Sequence, residues 1–586
     1  MPAATRHLSR FAVPLVWGGT AAAYVVKAAL TAATTPLILD SDDAMRLTEV
    51  RDFADGQAWF DLIQHRMNAP FGASMHWSRL IDLPEFLLFA LFRPFAGETA
   101  LIWLAWVWPL LLLVPLLLLV ERLALVLGGP QTRWPVLLLT PVSLATLGEF
   151  APGRVDHHSA QILMTLAMVL ALLTALHRPR IAALAGAAGA IAIAIGVEGL
   201  PAVAAAALAI GLAFVTDARH ATALRDFLLG LTVTMALAFA ATINPADWLA
   251  PRLDAISIVY VAASIGGALC GVVLTVRPAR PWFTRLVAAL VLGGANIAAL
   301  LVAFPALRGG PYAALDPWLV RNWLANIAES QSFLTSLLAD PVYPLALTVP
   351  VLLALATALT LARRHTADRM GWLVYSLLLA VGLLVMAVQI RAGRIVTPLA
   401  LPGTAVLVDA AIAWSRRRAG LLPALAVLAS LIGSAGIGVA ILVALLPFDS
   451  PGGGAGPGES RLACLQPSAF AQLANGPPQR LLAPIDLGAH LLLFTPHSVV
   501  GAPYHRNQQG LLDTFHVFNA PSEEARAIAR ARGIDRLVIC PAMKEVTGLV
   551  DHARDSLVND FAAGTLPPWL IEEPGPGPLR VFRVKP

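Results

Sequence analysis

The sequence predicts a polytopic α-helical membrane protein that ends in a small soluble α/β domain. Three observations predict it. Of 586 residues, 58% are hydrophobic and 13% charged, against about 25% charged in soluble domains. Apolar stretches of the length that crosses a bilayer, about 20 residues, recur along residues 1–447. Arg residues gather in alternate short loops, the asymmetry that sets orientation in a membrane. The net charge of +5 comes mainly from those loops, so it does not point to nucleic acid.

Thirteen spans are expected, at 11–36, 99–120, 134–148, 159–176, 181–197, 199–215, 226–243, 254–276, 284–305, 342–362, 371–389, 395–413 and 421–447. The first follows Arg6 and Arg10. As a signal peptide it would be interrupted by Lys27 and would lack a cleavage site, so it reads as a retained span. Phe86 to Phe95 is short and holds Arg93, which suits an interfacial or re-entrant piece; a fourteenth span is the competing reading. With thirteen spans and an inside N-terminus, the inside loops hold Arg122 and Arg133, Arg178 and Arg180, Arg219 and Arg225, Arg277 to Arg285, Arg363 to Arg369, and Arg416 to Arg418. A fourteenth span would shift the later loops and break that pattern. The outside face then carries loops 37–98, 149–158, 306–341 and 390–394, and the domain 448–586.

That domain follows a Gly-rich linker, Pro451 to Gly458. Leu481 to Pro484 and Leu491 to Phe494 read as buried strands, Ser522 to Arg532 as an amphipathic helix, and Arg536 to Cys540 and Leu579 to Val584 as further strands. Cys464 and Cys540 both fall there and can pair in an oxidising compartment, whereas Cys270 falls in a span.

Polar residues concentrate in the outside loops. Asp40, Asp42 and Asp43 stand where the first span ends, at a depth where carboxylates are costly unless paired or bound to a cation. Arg154, Asp156, His157 and His158 fall in one tight turn with Glu149 nearby, and Glu329 lies in a mostly apolar loop. Carboxylates with histidine and no thiolate suit Mn²⁺ or Mg²⁺ better than zinc. Acids and Arg at a membrane edge also cap helices or pair with one another, which accounts for any single one of them. Three separate loops on one face supplying such groups is harder to account for that way.

At these residues the chain resembles the GT-C superfamily of membrane glycosyltransferases, most of all the catalytic subunit of oligosaccharyltransferases. Four points carry the resemblance: Asp42-Asp43 with Arg51-Asp52, Gly56, Trp59-Phe60-Asp61 and Pro70-Phe71-Gly72; Gly153-Arg154-Val155-Asp156-His157-His158; Ala328-Glu329-Ser330-Gln331; and Arg391 and Arg394 before a Pro-containing span. Thirteen spans with an outside C-terminal domain is also that family's architecture.

The resemblance implies that Asp42, Asp156 and His158 coordinate a divalent metal, with Glu329 completing the site. Asp42 and Glu329 would contact the acceptor nucleophile, and Arg394 with Arg391 would hold the phosphate of a polyprenyl-linked donor. Asp40 or Asp43 can take the place of Asp42, since one sequence does not set the register. Asp43, Arg154 and His157 are further substrate candidates. The family's Trp-Trp-Asp-Tyr-Gly motif, which reads N-glycosylation sites, is absent. Its nearest counterpart is Asp486-Leu487-Gly488, followed by Tyr504, His505, Arg506 and Asn507 as groups suited to a polar ligand.

The expected activity is transfer of a glycan from a polyprenyl mono- or diphosphate to a protein or an envelope glycan, by an inverting displacement without a covalent enzyme intermediate. The alternatives are a GT-C monosaccharide transferase acting on a lipid or envelope glycan and, in another class, a transporter or flippase, for which Lys27, Glu198 and Asp409 are the candidate charges in or beside spans. The Ala- and Arg-rich, Lys-poor composition suits a bacterial inner membrane, with the site and C-terminal domain periplasmic and the protein acting as a single chain.

Overall fold

The computed structural model describes residues 11–364, 368–446, 461–541, 543 and 553–585. Arg6, Arg10 and the Pro451 to Gly458 linker lie outside the described residues.

The first half contains α1 (Ala12–Thr31), α2 (Ser41–Ala54), the two-stranded ribbon β1 (Ile63–Gln64) and β2 (Ala73–Ser74), α3 (Arg79–Ala96), α4 (Ala100–Gly128), α5 (Arg133–Leu139), α6 (Leu144–Glu149), α7 (His158–Ala175), α8 (Ala182–Ile195), α9 (Leu200–Thr216), α10 (Ala221–Thr242), α11 (Ile258–Thr275) and α12 (Trp282–Ala303). After loop 306–341 come α13 (Val342–Arg363), α14 (Arg369–Val388), α15 (Gly393–Arg417), α16 (Leu421–Ser434) and α17 (Ile437–Ala444).

Among the described residues, ten helices are long and apolar enough to cross a membrane, or eleven if the α16–α17 pair, bent by 99°, is one span. Two of the thirteen expected spans fall short of that length as continuous helices. Residues 134–148 form two short helices, because Pro141 sits in the turn between them and Ser143 caps α6 by accepting from the Thr146 amide at 3.3 Å. Residues 181–197 give the 14-residue α8, stopped at Gly196 by an extended backbone. The Phe86 to Phe95 piece lies in α3, which turns Arg79, Asp82 and Glu85 inward. It continues through a turn at Gly97 into α4.

The largest core cluster joins α4, α7 to α10 and α13 to α15. Glycines let α8 and α10 touch backbone to backbone: a Cβ on Gly186 would collide with the Phe227 carbonyl, and one on Gly230 with that of Ala183.

The C-terminal region contains β3 (Arg480–Leu482), α18 (Ile485–Phe494), β4 (Ser498–Val499), α19 (Gln508–Asn519), α20 (Ser522–Arg532), β5 (Arg536–Ile539), α21 (Leu557–Ala563), β6 (Leu570–Glu573) and β7 (Arg580–Val584). The sheet order is β4-β3-β5-β7-β6, parallel from β4 to β5 and antiparallel beyond. Leu491 to Phe494, expected as a strand, is the last turn of α18. A short run of leucines does not distinguish a buried strand from a buried helix. Cys464 and Cys540 form a disulfide across a Cα separation of 6.0 Å.

This region does not stand apart from the helices. One core cluster holds Met45 and Leu47 of α2 and Phe89 of α3 together with Leu481, Leu491 and Val499. Arg51 at the end of α2 donates to the carbonyls of Leu492 and Leu493, both at 2.8 Å. It thereby satisfies the orphan acceptors at the C-terminus of α18.

Candidate functional site: a carboxylate and histidine pocket at the loop face

α2 begins the site. Asp40 is its N-cap and accepts from the Asp42 amide at 3.1 Å. The 149–158 turn packs on this helix start. Gly153, at φ +97°, donates to the Ala105 carbonyl at 2.8 Å and faces the Leu37 carbonyl so closely that any Cβ would collide with it. That contact brings Arg154 and Asp156 against α2.

The three acids at the start of α2 then part company. Asp43 is buried, accepts from the amides of Val155 at 2.8 Å and Asp156 at 3.0 Å, and pairs with Arg154 at 2.7 Å. Asp40 pairs with the same guanidinium at 2.8 Å. Arg154 also reaches Glu149 at 3.2 Å, Glu149 reaches Arg394 at 3.2 Å, and Arg394 closes on Glu329. This row of alternating charges forms a ridge across the loop face. Asp42 stands beside it with no hydrogen bond to its carboxylate among the described residues, and lines a cavity of about 300 Å³ with His157, His158, Glu329 and Arg391.

Beneath that cavity Asp156 accepts from the His157 amide at 2.6 Å, and its Oδ1 lies 2.5 Å from His157 Nδ1. Its Oδ2 lies 3.3 Å from His158 Nε2, is buried, and has no hydrogen-bond partner. Ligand atoms of Asp156, His157 and His158 all fall within 4.8 Å of one another.

The electrostatics separate the acids further. Burial and the neighbouring charges of Asp40, Asp156, Glu329 and Asp43 push the Asp42 carboxyl well above its usual range. Burial, only partly offset by Arg154, pushes Asp43 up to about 7. Burial opposes ionisation of Asp156 as well, but His157 and His158 outweigh it and hold that carboxyl well below the ordinary value.

A second cavity, of about 400 Å³, runs between the helices and is mostly apolar, with Val169, Leu378, Val385 and Leu399 among its walls. It shares His76, His158, Glu198, Tyr312, Arg391 and His505 with the first, and Arg394 lines it.

The C-terminal region closes the site. Tyr504 donates to the Ser41 carbonyl at 3.1 Å and packs edge-on to Trp77 at 5.4 Å. His505 lies 2.7 Å from Asp254, and Arg506 grips the same carboxylate at 2.7 and 3.0 Å while donating to the Met75 carbonyl at 2.8 Å. Burial would raise Asp254, but hydrogen bonds from His505 and Arg506 outweigh it and hold the group far below the usual carboxylate range.

Of the residues singled out in the sequence, the first cavity gathers Asp42, His157, His158, Glu329, Arg391, Tyr504 and His505. Asp43 and Arg154 stand in the ridge. Asp486 does not line either cavity; it pairs with Arg461 at 3.1 Å. Sequence reasoning missed His76, Trp77, Asp254, Tyr312 and Trp323, and left Glu198 without a role at the site. Glu198 follows Gly196, where a Cβ would sit 2.6 Å from its carboxylate. A buried set also went unread: Arg46 pairs with Asp82 and with Glu49 at 3.6 Å, and covers the Trp77 ring at 4.4 Å. It locks Trp77 in the cavity wall. The common signal was position, since each missed polar group lies at a span end or in a loop on the face already marked by Asp156.

No protein-family model matches the chain, and no curated protein matches it in sequence. Solved structures do. The chain is similar to the archaeal oligosaccharyltransferase AglB from Archaeoglobus fulgidus in complex with an inhibitory peptide and a dolichol-phosphate, at TM-score 0.63 and 12% identity over 92% of this chain and 71% of that one. It is also similar to the Archaeoglobus fulgidus oligosaccharyltransferase in complex with Zn and sulfate, at TM-score 0.61 and 12% identity over 97% and 73%. ArnT from Cupriavidus metallidurans bound to undecaprenyl phosphate aligns over 99% and 98% at 12% identity, with a TM-score of 0.43. The fold is that of the GT-C membrane glycosyltransferases, a multi-pass helical part carrying a small sheet-containing C-terminal region.

Proposed function

We propose that the chain is a membrane glycosyltransferase that moves a sugar or glycan from a polyprenyl mono- or diphosphate to an acceptor on the periplasmic face of a bacterial inner membrane. One observation carries the reading. An apolar cavity between the helices and a polar pocket of acids and imidazoles share Arg391 as a wall, with Arg394 beside them. A lipid tail suits the first, a phosphate suits the two guanidiniums, and a sugar with its acceptor suits the second. The charged groups converge at one end of the helices, which favours transfer at the membrane edge over passage through it.

The donor set fits a divalent cation: ligand atoms of Asp156, His157 and His158 lie within 4.8 Å of one another, Asp42 and Glu329 line the cavity beside them, and Asp156 has a buried Oδ2 without a hydrogen bond. Asp42, Asp156 and His158 would hold the ion, with Glu329 in support; when bound it supplies positive charge that stabilises phosphate oxygens. The rest falls to the side chains. Arg394 and Arg391 hold the phosphate and neutralise the charge it gains as it leaves. Arg394 is engaged by Glu329 and Glu149, so a donor phosphate competes with Glu329 and frees it toward the pocket. Asp42 accepts a hydrogen bond from the acceptor's nucleophile and takes its proton. The nucleophile displaces the phosphate with inversion and no covalent enzyme intermediate.

The test uses purified full-length protein in nanodiscs with a polyprenyl-phosphate-linked sugar, reading release of polyprenyl phosphate. Asp156→Asn and a chelator should each lower turnover by roughly 10²-fold or more, with Mn²⁺ or Mg²⁺ restoring the chelated wild type. Full turnover in Asp156→Asn and Asp42→Asn alike would remove the metal-site reading. Comparing protein-linked with lipid-linked envelope glycans in a deletion strain tests the acceptor class.

A further inference from the structure

Glu198 has no part in the reaction proposed above, yet it stands where the two cavities of the site meet. α8 ends at Ile195 and α9 begins at Leu200, and the turn Val197–Gly199 between them carries the acid. The stretch Val197–Thr216 is apolar enough to cross a membrane, and Glu198 is its only charged residue. A carboxylate in such a stretch is costly and marks a working position when it faces a cavity.

The chain around it is shaped to hold it there. A Cβ on Gly196 would sit 2.6 Å from the Glu198 carboxylate, 3.1 Å from the Gln161 amide and 3.2 Å from the His157 ring, so a side chain at 196 would displace the carboxylate. Gln161 of α7 donates to the Gly196 carbonyl at 2.6 Å and the Ala192 carbonyl at 3.4 Å, which satisfies acceptors at the end of α8 and fixes the break. The carboxylate itself, among the described residues, has no ion pair and no hydrogen bond from another residue. It lines both cavities, together with Arg391, which Gln389 steadies at 3.2 Å. The shared wall also holds a row of rings, His76 to His505 at 4.7 Å and His505 to Tyr312 at 5.4 Å.

Position limits what Glu198 can meet. With a donor phosphate on Arg391 and an acceptor at Asp42, the group between them is the sugar ring next to the phosphate, and all three side chains line one pocket. A carboxylate with free lone pairs accepts two hydrogen bonds side by side, which matches O–H groups on adjacent ring carbons. The flat rings of His76, His505 and Tyr312 suit the apolar C–H face of a sugar. We propose that Glu198 selects the donor by accepting hydrogen bonds from two neighbouring hydroxyls of the sugar joined to the polyprenyl phosphate. The assignment rests on the glycosyltransferase reading above. Arg391 and Arg394 hold the phosphate whatever the sugar; Glu198 reads the ring. A sugar lacking one of those hydroxyls leaves the carboxylate short of a donor and reacts more slowly.

The test measures polyprenyl phosphate release by the full-length protein in nanodiscs. The probes are undecaprenyl phosphate-linked glucose, galactose, mannose and arabinose, the polyprenyl-linked sugars of a bacterial lipid extract, and then the monodeoxy analogues of the best donor. Wild type should lose about 10- to 100-fold in kcat/KM at one or two deoxy positions, the size of a charge-assisted hydrogen bond. Glu198→Ala should slow the parent sugar by a similar factor and use those analogues no worse than the parent. Glu198→Gln, nearly the same shape, should keep part of the preference. Inhibition by undecaprenyl phosphate, which has no sugar, should be unchanged in both variants, whereas a merely structural role would weaken it. A wild type indifferent to every deoxy position, a Glu198→Ala variant with wild-type hydroxyl preference, or variants that lose undecaprenyl phosphate inhibition along with turnover would each overturn the proposal and leave the transferase reading standing. Release from none of these donors by wild type would overturn the transferase reading, and the sugar subsite with it.

Discussion

The ridge and the pocket beside it are built from the same kinds of residue and differ in how much is left unsatisfied. Along the ridge each carboxylate of Asp40, Asp43, Glu149 and Glu329 has a guanidinium partner. In the pocket the Asp42 carboxylate has no hydrogen bond among the described residues, and Asp156 keeps one oxygen without one. Paired charges hold loops in position; unpaired ones store a demand for a cation or a proton. Asp42 and Asp43, adjacent in the chain, fall on opposite sides of that division.

The sharpest way to break the comparison is to neutralise each neighbour in turn. Asp42→Asn should abolish transfer, by about 10³-fold or more for a group acting as general base and cation ligand, while thermal unfolding in detergent stays at or above the wild-type temperature. Asp43→Asn leaves Arg154 with a missing partner; breaking one side of a buried pair costs about 3–5 kcal/mol, so a clear fall in melting temperature should accompany its loss of turnover. Equal melting behaviour of the two variants would erase the distinction between ridge and pocket.

A smaller effect is expected where the ridge meets the apolar cavity. Arg394→Lys keeps the charge but loses the planar fork, and should slow transfer by about 10- to 100-fold, mainly through donor KM. Glu329→Gln should lower donor KM, because Arg394 is released, yet lower kcat as well. A KM that rises in Glu329→Gln would contradict competition between carboxylate and phosphate for Arg394.

The smallest effect is expected at the far edge of the pocket. Asp254 is depressed in the folded protein, so its contribution is fully present above the unfolded value near about 3.9 and is lost only as pH falls through the lower folded value. Docking of the C-terminal region, followed by limited proteolysis, should therefore persist as pH falls through 4, whereas Asp254→Asn should speed cleavage a few-fold at neutral pH.

Much of this division could not be read in advance. The membrane class followed from composition, and the Asp156-His157-His158 turn and Glu329 stood out because acids are costly at span ends. The choice among Asp40, Asp42 and Asp43 stayed open because successive helical residues point about 100° apart, and only the docking of Gly153 on Leu37 decides which acid meets Arg154. His76 and Trp77 were invisible because each is an ordinary loop residue until Arg46 and His505 pack against it. Residues 134–148 read as one continuous helix because their apolar count hid the break at Pro141.

The Tyr504 to Arg506 segment has a practical consequence for anyone dissecting the protein. It supplies two side chains of the pocket wall and a double grip on the Asp254 loop. Cutting the chain between helices and sheet would yield two fragments, neither of which contains the pocket. The seam in the amino-acid sequence is thus no seam in the workings, and the two parts must be expressed, purified and varied as one body.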